Sequence, residues 1–139
     1  MIIKLFKICL QKLRNLVLGD FRSKKLSQLI VLKIIKYNKQ KVIRILDYGT
    51  GYQPKVVYYV YEQLINDYKK KVIIDCYDFY SKKELKKLNN LKNKGIFFYN
   101  INTILLNKKK YDFSLINDVI HHIGIEKEKI IINILNNLI

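Results

Sequence analysis

Apolar residues recur at helical spacing over the first 18 positions. Ile2, Leu5, Phe6, Cys9, Leu10, Leu13, Leu16 and Val17 form one stripe, with Lys4, Lys7, Lys12 and Arg14 between them. The pattern predicts an amphipathic, basic helix. One reading of it is a helix lying on a membrane surface; the commoner one is a helix that covers a cleft or caps a core. Gly19-Asp20 predicts its end, with Asp20 capping a second helix from about Phe21 to Tyr37. The period then shortens. Val42 to Leu46 is a short β-rich run that ends in Asp47-Tyr48-Gly49-Thr50-Gly51. Pro54 suits the first turn of a helix, which continues to about Lys69. Val72 to Asp78 is a second strand, and Ser81-Lys82-Lys83-Glu84 is a capping box opening a helix to about Asn93. Gly95 precedes a third strand, Ile96 to Tyr99. A fourth, Phe113 to Asn117, leads through His121 and His122 to a helix from about Glu126.

Strands alternate with helices, and no Asn-Gly hairpin signal separates them. Parallel pairing with right-handed crossovers follows. The fold class is α/β: a Rossmann-like parallel sheet of about four strands with helices on both faces. Residues 1–40 supply two N-terminal helices and residues 41–139 the sheet domain.

With 139 residues, half of them hydrophobic, the chain can bury the core of one domain. Its 27 Lys and Arg against 11 Asp and Glu give a formal charge of +16. Such a balance attracts nucleic acid or an acidic membrane surface. Neither is favoured here, because all but three of the basic residues are lysine and phosphate forks call for arginine. The excess of Ile, Lys, Asn and Tyr reads more simply as the imprint of an AT-rich coding sequence. Cys9 and Cys76 make no disulfide framework, and no metal-ligand spacing occurs. No apolar run approaches the roughly 18 residues of a bilayer span. The lysine-broken start is not a signal peptide. A cytoplasmic chain is expected.

In an open parallel sheet, ligands bind beyond the carboxyl ends of the strands. Three of the scarce acids, Asp47, Asp78 and Asp118, fall at or just past those ends. Capping or turn chemistry is the plainer use of each one; all three together point to a ligand crevice. Gly49 and Gly51 let a ligand approach the main chain. The helix that follows offers free N–H groups to a carboxylate, and Asp47 can hold a cationic group nearby. Asp78 is placed to take both hydroxyls of a ribose. An amino acid joined to a ribose is the outline of S-adenosylmethionine.

Ile45-Leu46-Asp47-Tyr48-Gly49-Thr50-Gly51 resembles the first motif of class I S-adenosylmethionine-dependent methyltransferases. Cys76 to Ser81 resembles the acidic end of their second strand. Tyr111 to Ile123, with its Asn-Asp-Val-Ile-His-His-Ile ending, resembles their fourth strand and the loop after it. The resemblance covers about residues 40 to 139. It implies a strand order 3-2-1-4 and methyl transfer from S-adenosylmethionine. Asp47, Gly49 and Gly51 would then contact the methionine part and Asp78 the ribose. Asn102, or else Asn100, would meet the adenine, and Asn117 and Asp118 would line the floor beside the transferred methyl. His122 would face the acceptor, unless it is a packing histidine. His122 or His121 is the nearby residue with a suitable pKa for a general base. Asp112, at the opposite end of the sheet, reads as structural.

Two departures stand out. Asp75 falls in mid-strand, where a buried parallel strand should be apolar; it becomes the ribose ligand if the strand stops early. The family's sheet also continues for three more strands, so the chain reads as truncated after the fourth. The other readings are a cofactor-binding half or inactive relic needing a partner chain, and a nicotinamide dehydrogenase. The last wants a third glycine near Pro54. Phe113 to Asn117 carries no charge and no proline, so an exposed fourth strand is expected to recruit a partner or a second copy. The methyl acceptor is unidentified.

Overall fold

The computed structural model describes residues 2–51, 54–90, 95–106, 109–116 and 132; for residues 2–18, 105 and 106 it describes the backbone alone. In chain order the elements are helix α1 (Ile2–Tyr37), strand β1 (Val42–Tyr48), helix α2 (Lys55–Asn66), strand β2 (Lys71–Asp78), helix α3 (Lys82–Asn89), strand β3 (Ile96–Asn100), a 3-10 helix (Ile101–Leu106) and strand β4 (Phe113–Ile116). The expected helix from Glu126 lies outside the described residues.

Among the described residues all strand pairings are parallel, in the order β3-β2-β1-β4. This is the predicted Rossmann-like arrangement. The strands alternate in what they bury. Ile43, Ile45, Val72, Ile74, Cys76, Ile96 and Phe98 join Val31 and Ile34 of α1, Val57, Val60 and Leu64 of α2 and Leu88 of α3 in one core. The intervening residues Leu46 and Tyr77 face the other way and pack with Ile101, Ile104 and Tyr111, flanked by Tyr48 and Tyr99. Asp112 clips β4 to β1: its Oδ2 accepts from Arg44 N at 2.8 Å, and its own N–H donates to Arg44 O at 2.8 Å. Its structural reading holds.

The N-terminal helices differ from expectation. One continuous helix of 36 residues replaces two, and it runs straight through Gly19-Asp20. A glycine inside a helix costs only about 1 kcal/mol, less than burial of the Val31 and Ile34 face returns. Asp20 is therefore no N-cap. Its carboxylate accepts from the Tyr59 hydroxyl and pairs with Lys24 and Lys55, which ties α1 to α2. Gln63 Nε2 donates to Ser27 Oγ across the same contact at 2.8 Å.

The capping box at α3 forms as predicted: Ser81 Oγ accepts from Glu84 N, and the Glu84 carboxylate accepts from Ser81 N at 2.8 Å. Gly95 is required by close approach. A Cβ there would stand 2.5 Å from both Tyr61 Cε2 and Val72 O.

Candidate ligand site at the carboxyl ends of the strands

Register brings the ends of the strands level. Tyr48 lies beside Tyr77 and Ile116, and Tyr77 beside Tyr99. One step further along β2, Asp78 pairs with Asn100 of β3. The loop from β1 bends over this edge. Gly49 N donates to Tyr77 O at 2.8 Å. Gly49 and Gly51 take φ of 78° and 73°, the left-handed region that glycine enters without a Cβ penalty.

The turn is held from β2. Asp78 Oδ2 accepts from Gly51 N at 2.6 Å, while its Oδ1 accepts from Phe79 N at 2.6 Å. The Tyr80 hydroxyl donates to Gly51 O at 2.9 Å. Tyr80 is itself fixed in the core, edge-on to Phe98. A Cβ on Gly51 would meet nothing within 4 Å, so there is open space beside the turn. Past it, α2 begins at Lys55 after Pro54, with no side-chain cap and no acid in its first turn. Its first N–H groups carry the positive end of the helix dipole.

Asp47 lies beneath this turn and is fully buried. Burial pushes its carboxyl up to about 7; a hydrogen bond with Thr50 opposes this, and the charge of Asp78 adds to it. The folded chain therefore holds a proton that an unfolded Asp47, near 3.8, has already released. Stability from this group declines as pH rises from about 4 to 7. We expect Asp47→Asn to flatten that decline. At pH 8 thermal melts should show the variant more stable by about 2 to 4 kcal/mol. Equal pH dependence in both proteins would contradict the burial argument.

The early-stop alternative for β2 is not what the structure shows. The strand runs on to Asp78. The Asp75 side chain is 1% exposed, and its Oδ2 accepts from Lys109 Nζ at 2.9 Å and from the Tyr111 hydroxyl at 2.7 Å. Lys109 also lies over the Tyr99 ring, which stacks on Tyr77. Asp75 belongs to the second core, away from the glycine turn. Asn100 is occupied as well: its Nδ2 donates to Tyr80 O at 2.8 Å and its Oδ1 accepts from Asn102 N at 3.0 Å. Asn102 itself is exposed in the first turn of the 3-10 helix. Asn117, Asp118, His121 and His122 lie outside the described residues.

The structure thus gathers Asp47, Gly49, Gly51 and Asp78, with Asn100 and Asn102 beside them. Sequence reading missed Tyr80, whose only signal was its place two residues past Asp78. It also missed the partners of Asp75. A carboxylate in an apolar strand calls for a cation, and the Lys108-Lys109-Lys110 run was the available source.

No family model matches the chain, and no curated protein matches it. Solved structures do. Magnesium protoporphyrin IX methyltransferase from Synechocystis PCC 6803, with bound SAH, superposes with a TM-score of 0.58 at 19% identity, covering 88% of this chain and 55% of that one. The same enzyme with bound SAM gives 0.57 at 15% identity, with 83% and 53% covered. The protein mmp1179 from Methanococcus maripaludis gives 0.55 at 15% identity, with 86% and 57% covered. The chain spans about half the length of these structures. The parallel sheet in the order β3-β2-β1-β4, with its helices, agrees with that likeness, and the chain has the fold of the class I S-adenosylmethionine-dependent methyltransferases.

Proposed function

We propose that the chain binds S-adenosylmethionine and serves methyl transfer to an acceptor still to be identified. The observation that carries this reading is the glycine turn clamped to Asp78, with buried Asp47 below it and the uncapped start of α2 beside it. The residues fit the cofactor's parts. The N-terminus of α2 suits its carboxylate. Asp47, in its ionised form, suits its ammonium group. Asp78 has acceptor capacity left for the ribose hydroxyls, because a carboxylate offers about four lone-pair sites and two are in use. The space beside Gly51 leaves room for the chain between them. Asn102 is the exposed amide available to the adenine, since Asn100 is spent on the loops.

When bound, the cofactor supplies a methyl group on a sulfonium, already activated for in-line displacement. The protein's work is then to position donor and acceptor. Asp47 and the α2 N-terminus orient the amino-acid end, Asp78 fixes the ribose, and His122 or His121 would take a proton from an oxygen or nitrogen acceptor. Asn117 and Asp118 would form the floor.

The test is titration calorimetry with S-adenosylmethionine, S-adenosylhomocysteine and NAD. The first two should bind and NAD should not; tighter NAD binding would overturn the assignment. Because an ammonium ion prefers the ionised carboxylate, affinity should rise as pH is raised through about 7, where Asp47 loses its proton. Binding without turnover in a methyl-transfer assay would leave a cofactor-binding half that needs a partner chain.

A further inference from the structure

The outward face of α1 takes no part in the site. Successive helical residues turn by about 100°, so Phe21, Lys25, Leu29, Leu32 and Lys36 share one stripe about 80° wide. The opposite arc carries Ser27, Val31 and Ile34, buried against α2 and the sheet. On the stripe, Phe21 is 63% exposed, Leu29 56% and Leu32 57%. Arg22 and Lys33 lie side by side along one edge of it, and both are exposed. No acidic residue occurs between Phe21 and Tyr37. The one acid at the start of this stretch, Asp20, is turned inward to Tyr59, Lys24 and Lys55.

We propose that this face of α1 rests on the surface of an anionic bilayer. Phe21, Leu29 and Leu32 would enter the boundary between headgroups and acyl chains. Arg22, Lys25, Lys33 and Lys36 would lie at the level of the acidic headgroups, their aliphatic stems along the apolar stripe. Charge complementarity selects this occupant, since basic residues beside an anionic surface are drawn to its acidic headgroups. The large apolar side chains between the charges argue for lipid over nucleic acid, whose phosphates would meet Lys and Arg without any use for two leucines. The helix would lie flat: among the described residues no helix is long and apolar enough to cross a membrane.

Vesicle co-sedimentation tests this with the full chain. Phosphatidylcholine mixed with phosphatidylglycerol should retain the protein, and phosphatidylcholine alone should not. The double substitution Leu29→Gln, Leu32→Gln should weaken retention by about tenfold or more. Its melting temperature should stay the same, because both side chains are already exposed. Lys25→Glu with Lys33→Glu should weaken it as much. Lys82→Glu with Lys83→Glu, an equal charge change on exposed positions of α3, should leave most of it. Equal loss in the two charge variants would reduce the effect to the chain's net charge and overturn the proposal. So would retention on single-stranded RNA in place of vesicles, or a dimer in sedimentation that the leucine substitutions dissolve.

Discussion

Asp78→Ala should lower the affinity for S-adenosylhomocysteine about a hundredfold while leaving the melting temperature nearly unchanged. On the proposed reading, the size of the effect comes from two tasks in one side chain. On that reading the ribose bonds to this carboxylate, and one such charge-assisted bond is worth about 1.5 to 3 kcal/mol. The same carboxylate accepts Gly51 N–H and Phe79 N–H, so its removal also frees the glycine turn. A loosened turn must be ordered again on binding, at an entropic cost that the wild type has already met. Asp78 is partly exposed at the end of its strand, so little of the core depends on it. Tyr80→Phe separates the two tasks. It removes the hydroxyl that donates to Gly51 O but touches no ribose, and should cost only severalfold in affinity. Calorimetry on both variants reads the difference. An unchanged affinity in Asp78→Ala would place the ribose elsewhere.

The largest loss of stability is expected at Lys109→Met. Asp75 is buried within the sheet, and its Oδ1 has no hydrogen-bond partner among the described residues. Its charge leans on Lys109 and on the Tyr111 hydroxyl. Breaking a buried pair by removing one member costs about 3 to 5 kcal/mol. The Lys109 side chain is 47% exposed, so solvent screens part of this, and about 2 kcal/mol is the expected loss in urea unfolding at pH 7. Adding Asp75→Leu to Lys109→Met should restore most of that loss, because the stranded charge goes with it. A double variant no more stable than Lys109→Met would mean that the lysine acts by packing on Tyr99 instead.

Much of this was legible in the sequence, for reasons that differ by element. β1, β2 and β3 are short apolar runs bounded by turn residues, and their alternation with helices fixes parallel pairing. The α3 capping box was legible because Ser81 and Glu84 satisfy each other within one turn. Gly49 and Gly51 were legible because the turn needs positive φ. The break that Gly19-Asp20 predicts is overridden by a tertiary contact outside any local pattern: Asp20 meets Tyr59, which is 39 residues away. The environment of Asp75 was hidden for the same reason, since Lys109 and Tyr111 lie 34 and 36 residues further along the chain. The clamp by Asp78 and Tyr80 depends on a backbone turn from another strand, which no spacing within β2 can reveal.

Cys76 turns the closed sheet into its own reporter. The thiol is buried, and burial, followed by the charge of Asp47, pushes it well above its ordinary range. Thiolate, the species that alkylating reagents attack, is scarce there while β2 stays paired on both sides. In a Cys9→Ser background, the rate of modification at Cys76 would therefore follow the opening of the central strands. A bound ligand that closes the turn above Asp47 would slow that rate, so the labelling half-life becomes a clock for occupancy that needs neither heat nor a catalytic assay.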